Sequence, residues 1–352
     1  MKKLLLIIGF IASAAVAVGS VKNLPYGIFW LPAVATSASQ DPTDWQAWKN
    51  GHVVGVVARL SWEYLEPSEG QYNWAYLDAV NESAQNAGIL WEIEIACGAK
   101  DGADTAFYPS WVVTDGAKTV TLHSNTGVPA TICVPWDPVF QAKWQALIRA
   151  LGARYDTVEN LRAVQMTGVG RDGECYFCSN NPKYISDWEW VLSQTPDGTV
   201  AEGEQLWVNA AETIAGYYAN AFSQTPFLYS TGAPMPRSVD RKNTAMSSVV
   251  SALNTTYNVG HLWRFGTRSS GYHYNGIVDP WGARYGIFFQ GYQQNKPQKS
   301  GTAQEASQAY QSPYNGLWFE VYAGDCMIDS NFSAFDTFNS KTAAMVGSSA
   351  YQ

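Results

Sequence analysis

Short apolar runs alternate with helix-length patterns along most of this chain, and that alternation restricts the fold more than any single motif does. The runs are YGIFWL (26–31), VVGVVAR (53–59), ILWEIEIA (89–96), LRAVQMT (161–167), TPFLYS (225–230), VGHLWR (259–264), RYGIFF (284–289) and GLWFEV (316–321). Near-continuous apolar strands separated by room for a helix are what parallel strands joined by crossover helices require, because both faces of such a sheet are covered. Eight of them predict an α/β fold, a closed (β/α)8 TIM barrel. The helical segments carry their own punctuation. Asn73 is placed to cap a helix burying Trp74, Leu77, Val80 and Ala84, with Gly88 as its stop. Asp137-Pro138 opens a second, with Phe140, Trp144, Leu147, Ile148 and Leu151 on one face before Gly152. Residues 203–222 and 302–311 carry weaker helical patterns. Long polar, Gly-rich and aromatic-rich segments at 98–135, 168–200, 231–240 and 265–283 follow strands rather than precede them, which puts the expected functional face at the C-terminal rim.

The first twenty residues, MKKLLLIIGFIASAAVAVGS, have two lysines, an apolar run and small residues near 15–17, the layout of a secretory signal peptide cleaved near 17–20. The run is shorter than the ~20 residues a spanning helix needs, and no later stretch is apolar enough to span a bilayer. The remaining 21–352 segment shows no repeat, low-complexity tract or linker and reads as one exported domain, secreted or periplasmic. The full chain's net charge of −8 becomes −10 for this segment, which lacks Lys2 and Lys3. That balance argues against nucleic acid or an anionic membrane surface as partner, since both reward clustered Lys and Arg. Oligomeric state is left open. Aromatics reach 14%, with 15 Trp and 20 Tyr, more than a core alone requires. Such an excess suits stacking on sugar faces, with indole and phenol groups meeting hydroxyls.

Five cysteines in an exported chain predict disulfides: a Cys97–Cys133 bridge between neighbouring loops, a Cys175–Cys178 pair in CYFC, and Cys326 left over. A zinc site is disfavoured because there is no second CxxC and no histidine near the first. Gly168, Gly170 and Gly173 spell GxGxxG behind a strand, but ECYFCSNNP cannot open the helix a dinucleotide needs. No GxSxG, HExxH or HxxEH occurs, and no cofactor is expected.

Two glutamates remain as the chemical candidates. Glu174 follows the fourth strand in VQMTGVGRDGE, and Glu320 ends the last strand in GLWFE, so a closed barrel would bring both to one rim. Cleaving a glycosidic bond needs one carboxyl to protonate the leaving oxygen and a second to act as nucleophile or to activate water; separations of ~5 Å give retention and ~6.5–9.5 Å inversion. Arg59, ending the second strand, is suited to hold a carboxylate ionised. Asp172 and Asp325 are weaker candidates, Asp325 for a sugar hydroxyl. Glu92 and Glu94 share one strand face and form a reserve carboxylate pair. Trp30, Trp62, Trp111, Trp263, Trp281 and Trp318 are the expected cleft-lining aromatics, with about half of them held in the core.

The stretch SWEYLEPSEGQYNWAYLD resembles the element W-x-x-L-E-P-x-E-G-x-Y-x-W/F-x-x-L-D of the clan A glycoside hydrolases, through Trp62, Leu65, Glu66, Pro67, Glu69, Gly70, Tyr72, Trp74, Leu77 and Asp78. PWDPVFQAKWQALIRALGARYD with LRAVQMTGVGRDGE is similar to the block ending at that clan's acid/base, and LWFEVY to its nucleophile strand. The resemblance, nearest to the family 42 and 35 β-galactosidases, implies a retaining double displacement on a neutral β-linked glycan, with Glu320 as nucleophile and Glu174 as acid/base. Two departures stand out: Gly173 replaces the clan's Asn before the acid/base, and Glu320 falls on the eighth strand where the clan uses the seventh. The competing expectation is a catalytically inactive barrel that binds polysaccharide.

Overall fold

A computed structural model describes residues 22–99, 105–124, 127–171, 177–179, 181–230, 248, 260–264, 287–290, 301–311 and 315–347, with the backbone alone for 230, 260–264 and 287–290. Eight strands close a barrel: β1 (Gly27–Leu31), β2 (Gly55–Ser61), β3 (Leu90–Ala96), β6 (Leu161–Met166), β7 (Phe227–Ser230), β8 (Gly260–Arg264), β9 (Ile287–Gln290) and β10 (Gly316–Tyr322). Each lies parallel to its neighbours, and β10 closes on β1. The eight apolar runs of the sequence are these eight strands. Two further strands, β4 (Thr119–His123) and β5 (Pro129–Cys133), form an antiparallel hairpin inside the segment expected to be loop.

Alternation along each strand sorts the core into two layers. Ile28, Trp30, Val56, Ala58, Leu60, Trp91, Ile93, Ile95, Phe319 and Val321 face outward and pack under the helices. Phe29, Leu31, Val57, Ala163, Leu228 and Trp318 face inward and fill the lumen. The outer layer buries most of the large apolar side chains, each contributing about 1.5–3 kcal/mol.

Helix entry and exit follow local chemistry, with two corrections. Asp137 caps the Pro138–Tyr155 helix as expected, accepting from the amides of Val139 and Phe140. Gly152 does not end that helix; the chain continues to Tyr155, and Gly152 lets the Val200–Ala221 helix approach so closely that an added Cβ would collide with the Ala221 carbonyl. In the Ala75–Ala87 helix, Gly88 is the stop, left-handed at φ 68°, but Trp74 rather than Asn73 holds the N-cap position. The helix preceding β10 runs Thr302–Ala309 and the one following it Asp329–Val346.

Gly152→Ala is expected to destabilise the fold by about 1–3 kcal/mol, the usual cost of overpacking. Gly51→Ala, whose Cβ would meet nothing, is its control. Urea midpoints of the two variants check this: a Gly152→Ala midpoint equal to that of wild type would contradict the helix–helix contact.

Candidate active site

The turn after β2 positions the first functional side chain. Ser61 caps the short helix Trp62–Leu65, accepting from the Tyr64 amide at 3.2 Å. Glu66 then accepts from the Trp62 indole at 2.7 Å and from the Gly70 amide at 2.8 Å, with Gly70 at φ 70°. Glu69 makes an ion pair with Lys143. These carboxylates therefore shape the exit from the strand, and the turn fixes the strand end from which Arg59 points inward.

Inside the barrel, residues of one parity from β2, β3, β6 and β10 converge. Arg59 pairs in register with Glu94, Val57 with Glu92, Glu94 with Gln165, and Glu320 with Phe29. Arg59 and Glu94 form a two-point ion pair, Nε to Oε2 at 2.8 Å and Nη2 to Oε1 at 2.9 Å, and Nη1 donates to the Pro32 carbonyl at 3.3 Å. Burial works against the Arg59 charge, but the field and hydrogen bonds of Glu94, with smaller contributions from Tyr322 and Glu320, hold its pKa above the ordinary value. Glu320 lies at the third position from the end of β10 and is fully buried, as is Glu92. Burial first, then the charges of Glu320 and Glu94, push the Glu92 carboxyl well above the usual carboxylate range; the Trp318 indole counters this weakly.

The candidate residues thus separate. Glu320, Arg59 and the reserve pair Glu92 and Glu94 meet in one lumen cluster. Glu174, Asp172 and Trp281 lie outside the described residues, and of Trp263 only the backbone on β8 is described. Trp30 does not line a cleft: its position pairs with Val321 and it faces the helices, because lumen positions on β1 belong to Phe29 and Leu31. Trp62 is a core residue, edge-on to Trp111 and Trp144 and wholly enclosed. Trp111 packs against Trp62 and donates to the Glu66 carbonyl at 3.1 Å, so it belongs to the turn. Trp318 points inward but is completely buried beside Glu92. Asp325 sits near Glu305, whose buried carboxyl is pushed up to about 7 by desolvation and by Asp325 itself.

The disulfide expectations need correction. Cys97, Cys133, Cys178 and Cys326 are free buried thiols, so no Cys97–Cys133 bridge forms although the two interact; Cys175 lies outside the described residues. Cys326, the expected odd thiol, donates to the Val321 carbonyl at 3.3 Å. Gly168, at φ 102°, rests against the Trp144 indole, and residues 168–171 and 177–179 are not helical; Gly173 lies outside the described residues. Among the described residues no group of three or more His, Cys, Asp or Glu could hold a metal ion.

Residues 39–189 match the glycoside hydrolase family 42 model, described as β-galactosidase. The match covers less than half of the chain. It contains Arg59, Glu92, Glu94 and Glu174 and stops short of β10 and Glu320. No curated protein matches the chain. Among solved structures, the β-amylase catalytic domain of Paenibacillus polymyxa superposes with a TM-score of 0.63 at 11% identity, covering 91% of this chain and 98% of that one. The cold-adapted β-galactosidase of Rahnella sp. R3 gives 0.55 at 10% identity over 92% and 58%. The β-galactosidase of Halorubrum lacusprofundi gives 0.52 at 11% identity over 89% and 58%. The barrel expected from the strand pattern is shared with these enzymes, and the chain spans about three fifths of the length of the two β-galactosidases.

Sequence reasoning passed over Gln165 and Tyr322, whose inward parity beside Glu94 and Glu320 was readable once the strands were assigned. It also missed the pair between His123, at the end of β4, and Asp187, in the Ile185–Leu192 helix, whose side chains meet at 3.0 Å across 64 residues with no local signal.

Removing one partner of a buried ion pair strands the other charge, so Arg59→Met should cost about 3–5 kcal/mol, and the double variant Arg59→Met, Glu94→Leu should recover most of that loss. Denaturant unfolding of the single and double variants checks this; equal losses in both would contradict the pairing.

Proposed function

We propose that this chain is an exported glycosidase that cleaves a neutral β-linked glycan by a retaining two-carboxyl mechanism. The observation that carries the reading is the family 42 match over 39–189, which includes Arg59 and Glu174. The lumen cluster adds to it: Glu320 stands on the closing strand of the same barrel, in the field of Arg59. In the first step the Glu320 carboxylate attacks the anomeric carbon while the bond to the leaving oxygen breaks, and the proton of Glu174 passes to that oxygen. In the second, water attacks the same carbon, its proton goes to Glu174, and Glu320 departs as carboxylate.

A neutral substrate fits a lumen whose described carboxyls outnumber its one described guanidinium. The β-galactosidase description of the family suggests galactose at the cleaved position. Export rests on the N-terminal twenty residues alone, which lie outside the described residues, and no helix among the described residues is long and apolar enough to cross a membrane. N-terminal sequencing of the processed protein is expected to start near residues 18–21.

The second reading, a polysaccharide-binding barrel without turnover, is favoured by one observation: Glu320 is wholly enclosed and stands on the eighth barrel strand, while the seventh ends in Gln290. Glu174→Gln and Glu320→Gln, made separately, distinguish the two. On activated β-galactosides each should lose turnover by a factor of about 10²–10⁴ or more while retaining glycan binding. The β configuration of the first sugar released, followed by proton NMR, would accompany retention. Wild-type protein that binds glycans and hydrolyses none across a panel of β-glycosides would establish the second reading instead.

A further inference from the structure

The tryptophans expected to line a cleft and described with side chains proved to be core or turn residues, yet the rim carries an aromatic pair that sequence reasoning did not nominate. Trp136 stands between β5 and Asp137, the cap of the Pro138–Tyr155 helix, and Trp190 stands on the Ile185–Leu192 helix. Both belong to connections that leave the C-terminal ends of barrel strands, β3 and β6. Their ring centroids lie 6.1 Å apart at an interplanar angle of 28°, and Trp136 also lies on buried Phe177 at 5.4 Å. Other half-buried tryptophans are committed elsewhere. Trp45 and Trp48 stack on each other, Trp74 lies against Tyr72 and the Arg154 guanidinium, and Trp111 takes the Lys143 ammonium on its face.

The pair is held rigidly. Asp187, on the helix of Trp190, is buried and accepts from the His123 amide at 2.7 Å, with His123 Nδ1 at 3.0 Å, so that helix is tied to the β4–β5 hairpin from which Trp136 emerges. Trp136 and Trp190 are themselves half-buried. Neither indole N–H is enclosed, and neither has a hydrogen-bond partner among the described residues. Trp190 has no ring partner there other than Trp136, and no ammonium or guanidinium stacks on either ring. A fixed aromatic surface with solvent-facing N–H donors at its edge and no cation suits a neutral ring that has an apolar face and peripheral hydroxyls.

We infer that Trp136 and Trp190 form a binding platform for a pyranose ring of a neutral glycan, on the leaving-group side of the cleaved bond. The direction follows from the chain. Phe177 is three residues beyond Glu174, so its Cα lies within about 11 Å of the Glu174 Cα whatever path the chain takes. The acid/base stands on the side of the leaving oxygen, and the Trp136–Phe177 contact brings the platform to that side. Substrates with a sugar as leaving group would therefore be gripped where those with a small leaving group are not. This direction rests on the glycosidase reading above; the existence of the platform does not.

Trp190→Leu keeps apolar volume at a half-buried position and removes the aromatic face, and Trp190→Phe restores a face. For a sugar that the enzyme releases, kcat/KM is measured on the β-glycosyl fluoride, which has no leaving sugar, and on a β-linked tetrasaccharide of the same sugar. In Trp190→Leu the loss on the tetrasaccharide should exceed the loss on the fluoride by about 10-fold, carried by KM, and Trp190→Phe should recover most of it. Equal losses on both substrates, or none, overturn the leaving-group assignment. In a second arm, a β-linked galactotetraose titrated into the full chain should change tryptophan emission in wild type and much less in Trp190→Leu. An equal response in both overturns the platform, as does no response in wild type. A Trp190→Leu variant altered only in its sedimentation would assign the surface to a second copy of the chain and overturn it as well. If no glycoside is hydrolysed, the glycosidase reading fails, while the emission arm still decides whether the platform binds a glycan.

Discussion

The ion pair between Arg59 and Glu94 is the constraint around which the barrel interior is arranged. A guanidinium inside a closed sheet is tolerable only with a carboxylate in two-point contact, and the adjacent strands β2 and β3 supply that contact at matching register. The outer layer holds no such charge pair. There, Trp62, Trp91, Trp144 and Trp207 pack as ordinary apolar volume, with their N–H groups turned to neighbours where these exist, as Trp207 turns to the Val169 carbonyl at 3.1 Å.

The barrel was legible because parallel strands buried on both faces read as apolar runs, and all eight did. What sequence could not supply was depth. GLWFEV tells that Glu320 ends an apolar strand, not that the strand runs on to Tyr322 and leaves Glu320 enclosed below its end. The tryptophans elude sequence reasoning for a related reason. Trp30 and Trp62 sit at strand ends, where a cleft would want them, but a one-residue change of parity sends a side chain to the helices, and Trp30 has that parity. The β4–β5 hairpin is easily passed over although TVTLH and PATIC alternate around a Gly127 turn, because a two-stranded excursion leaves no trace in the βα rhythm. Glu92 and Glu94 were legible as a pair on one face; which of them Arg59 would take depends on register, which spacing alone does not reveal.

The solved structures that superpose share the barrel at about a tenth of residues identical, so the common feature is the scaffold. Against the clan pattern, this chain carries its late glutamate one strand further round, on the strand that closes against β1, and sets Gly173 where an Asn is usual. Both departures touch the same functional question, how a sugar is gripped while a carboxylate attacks it. In a closed barrel, moving a carboxylate from the seventh strand to the eighth rotates its approach without removing it from the lumen, and Arg59 remains within its field.

The central claim, that Glu320 is the group that bonds to the sugar, is tested most directly by trapping. An activated fluorosugar of the galactose series, incubated with the enzyme and followed by proteolysis and mass mapping, should leave one glycosyl adduct, on the peptide containing Glu320. An adduct on a different carboxylate, or substrate turnover with no adduct at all, would contradict the account.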